Sequence, residues 1–102
     1  MVIYEITAVV DADLVSRFEV YMAETHINEV LASGYFISAT FSRNGDRYRV
    51  QYEANHLSKI DQYLEQRAPM LRADFTRHFP TGIHLSREIW EVQAKFEPSP
   101  HK

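Results

Sequence analysis

Ile37-Ser38-Ala39-Thr40-Phe41-Ser42-Arg43-Asn44-Gly45-Asp46-Arg47-Tyr48-Arg49-Val50-Gln51-Tyr52 is the stretch from which the fold can be read. Two runs of alternating polarity flank an Asn-Gly pair, the strongest short-range signal for a β-hairpin with a two-residue type I′ turn. With Asn44 and Gly45 as the loop, Phe41 falls opposite Tyr48, Ala39 opposite Val50 and Ile37 opposite Tyr52. All six share one face, as a half-buried antiparallel pair requires. The other face carries Ser38, Thr40, Arg49 and Gln51.

Outward from the hairpin, the chain reads as a strand and a helix before it and a helix and a strand after it. Val2 to Val10 alternates as a first strand. Asp11 and Asp13 are N-cap candidates for a helix carrying Leu14, Phe18, Tyr21 and Met22. The apolar phase then slips to Ile27, Val30 and Leu31, which predicts a bend, and Gly34 supplies a left-handed stop. Asn55 and Ser58 compete to cap a second helix with Leu57, Ile60, Tyr63 and Leu64 on its stripe. Pro69 cannot sit inside that helix without loss, so a new segment is expected to start there. Leu85 to Phe96 reads as the fourth strand, with Trp90 and Val92 expected to face the helices. Residues 1–96 form one domain in this reading, and 97–102, with Pro98 and Pro100, form a flexible tail.

The order β-α-β-β-α-β predicts an α+β ferredoxin-like sandwich: a four-stranded antiparallel sheet in spatial order 4-1-3-2, with two bent helices on one face. The second sheet face is left uncovered and mixes Ile3, Glu5, Thr7, Val9, Ser38, Thr40, Arg49, Gln51, Glu53, Ile89, Glu91 and Gln93. Such a face is either solvated or stacked on itself in a homodimer, because an isologous interface pairs a patch with its own copy. A homodimer through this face is the expectation.

Composition removes several function classes. The 102 residues hold no cysteine, which excludes thiol catalysis, disulfides and thiolate metal sites. The net charge of −3 argues against a phosphate-binding nucleic-acid surface. The strands that would present stacking aromatics to RNA carry Glu5, Thr7, Arg49 and Gln51 instead. No apolar run approaches the ~20 residues of a membrane span, and no signal peptide is visible. A cytoplasmic protein is expected. The five histidines lack metal-ligand spacing, and there is no phosphate loop or nucleophile elbow.

Around the two helix bends the sequence resembles a known family. Thr25-His26-Ile27-Asn28-Glu29-Val30-Leu31-Ala32-Ser33-Gly34-Tyr35-Phe36 and Ala68-Pro69-Met70-Leu71-Arg72-Ala73-Asp74, followed by Arg77 and Phe79, resemble two segments of the small bacterial domain-of-unknown-function family numbered 4286. The opening Val2-Ile3-Tyr4 and Gln51-Tyr52 agree with it. The resemblance implies a ferredoxin-like fold akin to the dimeric α+β barrels, and no known activity. The matching positions are His26, Glu29, Gly34, Pro69, Leu71, Arg72, Arg77 and Phe79. The chain departs from the pattern at Asn28 (proline in the family), Arg67 (histidine) and Asp74-Phe75 (Glu-His), so a site built on several histidines would be damaged here.

Two function classes fit these residues. In the first, the protein binds or converts a small anionic organic molecule without a cofactor or metal. In the second, it is a non-catalytic interaction or regulatory dimer. For the first, the expected ligand-binding residues are His26, Arg67, Arg72 and Tyr52. Helix breaks free backbone N–H groups for anions, Arg67 and Arg72 stand at the Pro69 break, and His26 occupies the equivalent place in the first helix. A closed apolar pocket on which His26 or Tyr52 converges would favour the first class, and a filled core the second.

Overall fold

The computed structural model describes residues 1–99. Its sheet has the order β2-β3-β1-β4 and is antiparallel throughout, as expected from the sequence. The strands are β1 (Val2–Val10), β2 (Ser38–Asn44), β3 (Arg47–Ala54) and β4 (Ile83–Glu91). Between β1 and β2 run α1 (Val15–Tyr21), a π turn (Met22–His26) and α2 (Ile27–Ala32). Between β3 and β4 run α3 (Leu57–Gln66) and α4 (Ala68–His78). Both helical pairs lie on one face of the sheet, over the alternating set Val2, Tyr4, Ala8 and Val10 of β1 and Tyr48, Val50, Tyr52 and Ala54 of β3, all buried.

The bends form where the sequence loses helical phase. The π turn holds one extra residue per turn, so Met22, His26, Ile27 and Val30 all reach the same buried face. Among the described residues no side chain caps it. In the second pair, Arg67 leaves helical geometry at φ −122°, and Pro69 sits in the first turn of α4, where its missing N–H costs nothing. Gly34, at φ +85°, ends the first pair. His56, rather than Asn55 or Ser58, precedes α3, and Asp11 stands before a short 3₁₀ turn (Ala12–Leu14) instead of α1, holding it through its backbone carbonyl and not its side chain.

Two expectations need correction. The hairpin register is displaced by two residues: Phe41 pairs with Val50, Ala39 with Tyr52 and Arg43 with Tyr48. Ile37 lies outside β2 and is exposed. The loop is Gly45-Asp46. Only Gly45 has positive φ, at +64°, the pattern of a type II′ turn. A type I′ loop would have forced Asn44 into the same region, whereas this loop places the strain on the residue without a Cβ. A shift of two leaves every side chain on its expected face.

The second correction concerns β4. Ile89 pairs with Tyr4, Arg87 with Ile6 and Leu85 with Ala8, so these side chains face the helices. Trp90 pairs with Ile3 and lies on the uncovered face, and Val92 lies beyond the strand. Two apolar sets alternate in this segment. Pairing starts at Val10 with Ile83, just after a backbone bond from Asp11 N–H to the Gly82 carbonyl, and that start selects the upstream set. Residues 97–99 are exposed, and the rest of the expected tail lies outside the described residues.

Tyr52 is fully buried. Its ring packs against Tyr4 at 6.2 Å and Phe36 at 5.1 Å, and its hydroxyl has no hydrogen-bond partner among the described residues. An unsatisfied buried hydroxyl is a cost that phenylalanine avoids. Tyr52→Phe is expected to raise the unfolding free energy by about 1 kcal/mol, and Tyr52→Ala to lower it by ~3–5 kcal/mol, both read by urea denaturation.

Candidate functional site

The helices do not cover the whole sheet. From His84 to Glu91, β4 is exposed, and even its helix-facing Leu85 and Ile89 are 37% and 44% exposed. Where the helix layer ends above β1 and β4, a cavity of about 70 Å³ opens to the surface. Its floor is Tyr4, Ile6, Ala8, Tyr48 and Val50. The first helical pair supplies Phe18, Met22 and His26, and the second supplies Tyr63, Leu71 and Phe75. The exposed rim consists of Arg72 and Thr76 of α4 with Leu85 and Arg87 of β4.

The interior is uncharged. His26 is 8% exposed, is flanked by Tyr21 and Phe75, and has an Nδ1 atom without a hydrogen-bond partner among the described residues. Burial pushes its pKa down to about 4, so the imidazole is neutral at pH 7. Burial pushes the Tyr63 phenol up to about 12, with Tyr4 adding to the shift and the nearby arginines opposing it. Arg72 Nη2 donates a hydrogen bond to the Tyr4 hydroxyl at 3.2 Å, which ties one rim guanidinium to the floor. Charge is confined to the rim, where Arg72 and Arg87 are both positive.

Of the residues expected from sequence, His26 and Arg72 line this cavity. Tyr52 lies under Tyr4 and Phe36, and Arg67 is exposed at the α3–α4 break; neither lines it. Arg87 and Tyr48 also line it and are not reached from the sequence. Arg87 was hidden by the inverted reading of β4: placing Trp90 under the helices put every odd-numbered residue of the strand on the wrong face. The slip of apolar phase near residue 25 was the signal that found His26. Among the described residues no group of three or more His, Asp or Glu side chains is arranged to hold a metal ion, and no helix is long and apolar enough to cross a membrane.

The neutral state of His26 sets a pH dependence. The unfolded chain takes up a proton at an ordinary histidine pKa near 6.5, while the folded protein does so only near 4. Between these values the unfolded state binds more protons, so stability falls as pH is lowered through that window and levels off below it. His26 alone is expected to remove about 3 kcal/mol between pH 7 and pH 4. Denaturant titrations of the wild type and His26→Phe across this range check it. The difference between the two curves should show this slope, and parallel curves would refute the assignment.

No curated protein matches the chain in sequence. Among solved structures, the heme-degrader MhuD from Mycobacterium tuberculosis, with two hemes bound in its active site, superposes with a TM-score of 0.71 at 16% identity, covering 95% of this chain and 100% of that one. An uncharacterised NIPSNAP domain protein from Burkholderia xenovorans gives 0.67 at 20% identity, covering 97% and 100%. A dimeric ferredoxin-like protein from an uncultured marine organism gives 0.67 at 8% identity, covering 96% and 100%. At these identities the likeness is one of fold. Residues 1–93 match the model of the domain of unknown function DUF4286, and the chain belongs to that family.

Proposed function

We propose that the protein binds a small carboxylate-bearing organic molecule in the cavity between helices and sheet, and that it does so as a homodimer in the cytoplasm. One observation carries the ligand class: the cavity is neutral and apolar inside, and its rim holds two guanidiniums from different elements, Arg72 and Arg87. A ligand with an apolar body and an anionic end satisfies both at once. Arginine is suited to a carboxylate because its planar fork matches the two oxygens. The cavity also argues against a filled-core interaction module. His26 fits a binding role better than proton transfer, because a base with a pKa of about 4 is mostly unable to hold a proton at neutral pH.

Size narrows the class. At about 70 Å³ the enclosed space is roughly half of the ~150 Å³ that admits benzene in an engineered core. A short-chain acid fits within it, and a single ring fits with its carboxylate outside at the rim. The hemes bound by the mycobacterial neighbour are too large for a cavity of about 70 Å³. Dimerisation is supported by the uncovered sheet face and by a fold neighbour described as dimeric.

A thermal-shift panel of short-chain and single-ring carboxylates, each beside its uncharged amide, tests the reading. Acids should raise the unfolding midpoint and amides should not. A ligand at a hundred times its Kd adds ~2.7 kcal/mol, well within detection. Arg72→Ala and Arg87→Ala should each weaken binding by about tenfold or more. Arg67→Ala is the comparison. If it abolishes binding while Arg72→Ala does not, the ligand sits at the helix break and the cavity reading is wrong.

A further inference from the structure

The uncovered face carries its charge in two halves. Along β3 its side chains run Glu53, Gln51, Arg49, Arg47, and beside them on β1 run Ile3, Glu5, Thr7, Val9. Glu88 of β4 stands next to Glu5. One end of the face is therefore acidic and the other basic. The basic end is hollow: a cleft of about 220 Å³ opens among Thr7, Ser42, Arg47 and Arg49. Arg47, Arg49 and Glu53 take part in none of the side-chain hydrogen bonds or ion pairs among the described residues.

We propose that a second copy of this chain stacks on this face about a twofold axis running across the strands, so that Glu53 of each copy enters the other's cleft against Arg47. The proposal rests on the dimer reading above and specifies its register. Two directions of twofold axis lay the sheet face on itself with the strands of the two copies aligned, the arrangement of aligned sheet packing. An axis along the strands puts each level against the same level of the second copy, bringing the Arg47 and Arg49 levels together and the Glu5 and Glu53 levels together. An axis across the strands, between Glu5 and Thr7, reverses strand direction and lays the acidic half on the basic half. Along β3 it sets Glu53 over Arg47 and Gln51 over Arg49. Along β1 it sets Ile3 over Val9, an apolar contact.

Every such contact occurs twice, as an isologous interface requires. Stacked sheets lie ~10 Å apart, a gap that glutamate and arginine extended from opposite sides can close. The match is one of charge and of polarity at once, and the other axis gives neither.

Charge reversal tests this, because Arg47 and Glu53 lie six positions apart on one strand, ~20 Å, and cannot meet within a subunit. Sedimentation equilibrium of the full chain measures the dimer Kd. Arg47→Glu and Glu53→Arg should each raise it by about tenfold or more, since each places like charges together twice. The double variant should return it to within a few-fold of the wild type. Circular dichroism verifies that each variant folds. Should a reversal fail to fold, Arg47→Gln and Glu53→Gln replace it, and salt should then weaken the wild-type dimer more than either variant. A monomeric wild type at micromolar concentration overturns the dimer reading and this register together. A dimeric wild type whose Kd ignores the single reversals, or a double variant no better than the singles, overturns the register alone.

Discussion

The helix layer is narrower than the sheet it rests on, and most of the molecule's chemistry follows from that mismatch. Two bent helical pairs cover β1 and β3 with a dense aromatic layer: Tyr4, Phe36, Tyr52 and Tyr63 pack at one end, and Phe18, Phe41, Tyr48, Phe75 and Phe79 at the other. Burying rings of this size supplies a large part of the stabilisation, at about 1.5–3 kcal/mol for each fully buried side chain. The layer stops short of β4. The open strip above β4 admits solvent to the edge of the core, and the cavity lies along that boundary. A wider helix layer would have buried Leu85 and Ile89 and closed it.

The same aromatic packing explains why the cavity is neutral. Rings crowd His26 and Tyr63 away from water, so the imidazole stays unprotonated and the phenol stays protonated. Three buried polar atoms, the Tyr21 and Tyr52 hydroxyls and His26 Nδ1, have no partner among the described residues. Unsatisfied groups of this kind are uncommon in folded proteins. Tyr21 and His26 are ring neighbours at 5.7 Å, Tyr21 the last residue of α1 and His26 the last of the π turn. That turn both restores the helical phase and places His26 at the cavity wall.

The strand order, the two bends and the aromatic core were legible because each rests on local chemistry: an Asn-Gly hairpin, a slip in apolar spacing, a proline that cannot lie mid-helix. The register errors came from choices that local chemistry leaves open. Asn44-Gly45 and Gly45-Asp46 are both reasonable loops, and backbone strain at one atom of substituent decided between them. In β4, two alternating apolar sets, Ile83-Leu85-Ile89 and Trp90-Val92, compete for the helix face, and only the long-range pairing with β1 separates them. That choice hid Arg87. Arg67 was drawn into the expected site by its nearness in sequence to Arg72, but the chain turns at residue 67, and five positions of helix carry the two guanidiniums to different surroundings.

β1 joins the two faces. Its even-numbered residues floor the cavity and its odd-numbered residues form the centre of the uncovered face, while pairing with β4 assigns that strand's residues in the same alternation. Arg87, opposite Ile6, belongs to the cavity rim; its neighbour Glu88, opposite Glu5, belongs to the acidic half of the other face. A one-residue slip of β4 would exchange them, putting a carboxylate at the rim and a guanidinium among the acidic residues. Both faces would then lose their charge pattern at once. The start of β4 at Ile83, held beside Val10 by the Gly82–Asp11 backbone bond, thus fixes the electrostatics of the cavity and of the opposite sheet face together. A change in that turn would reach both without touching a residue of either.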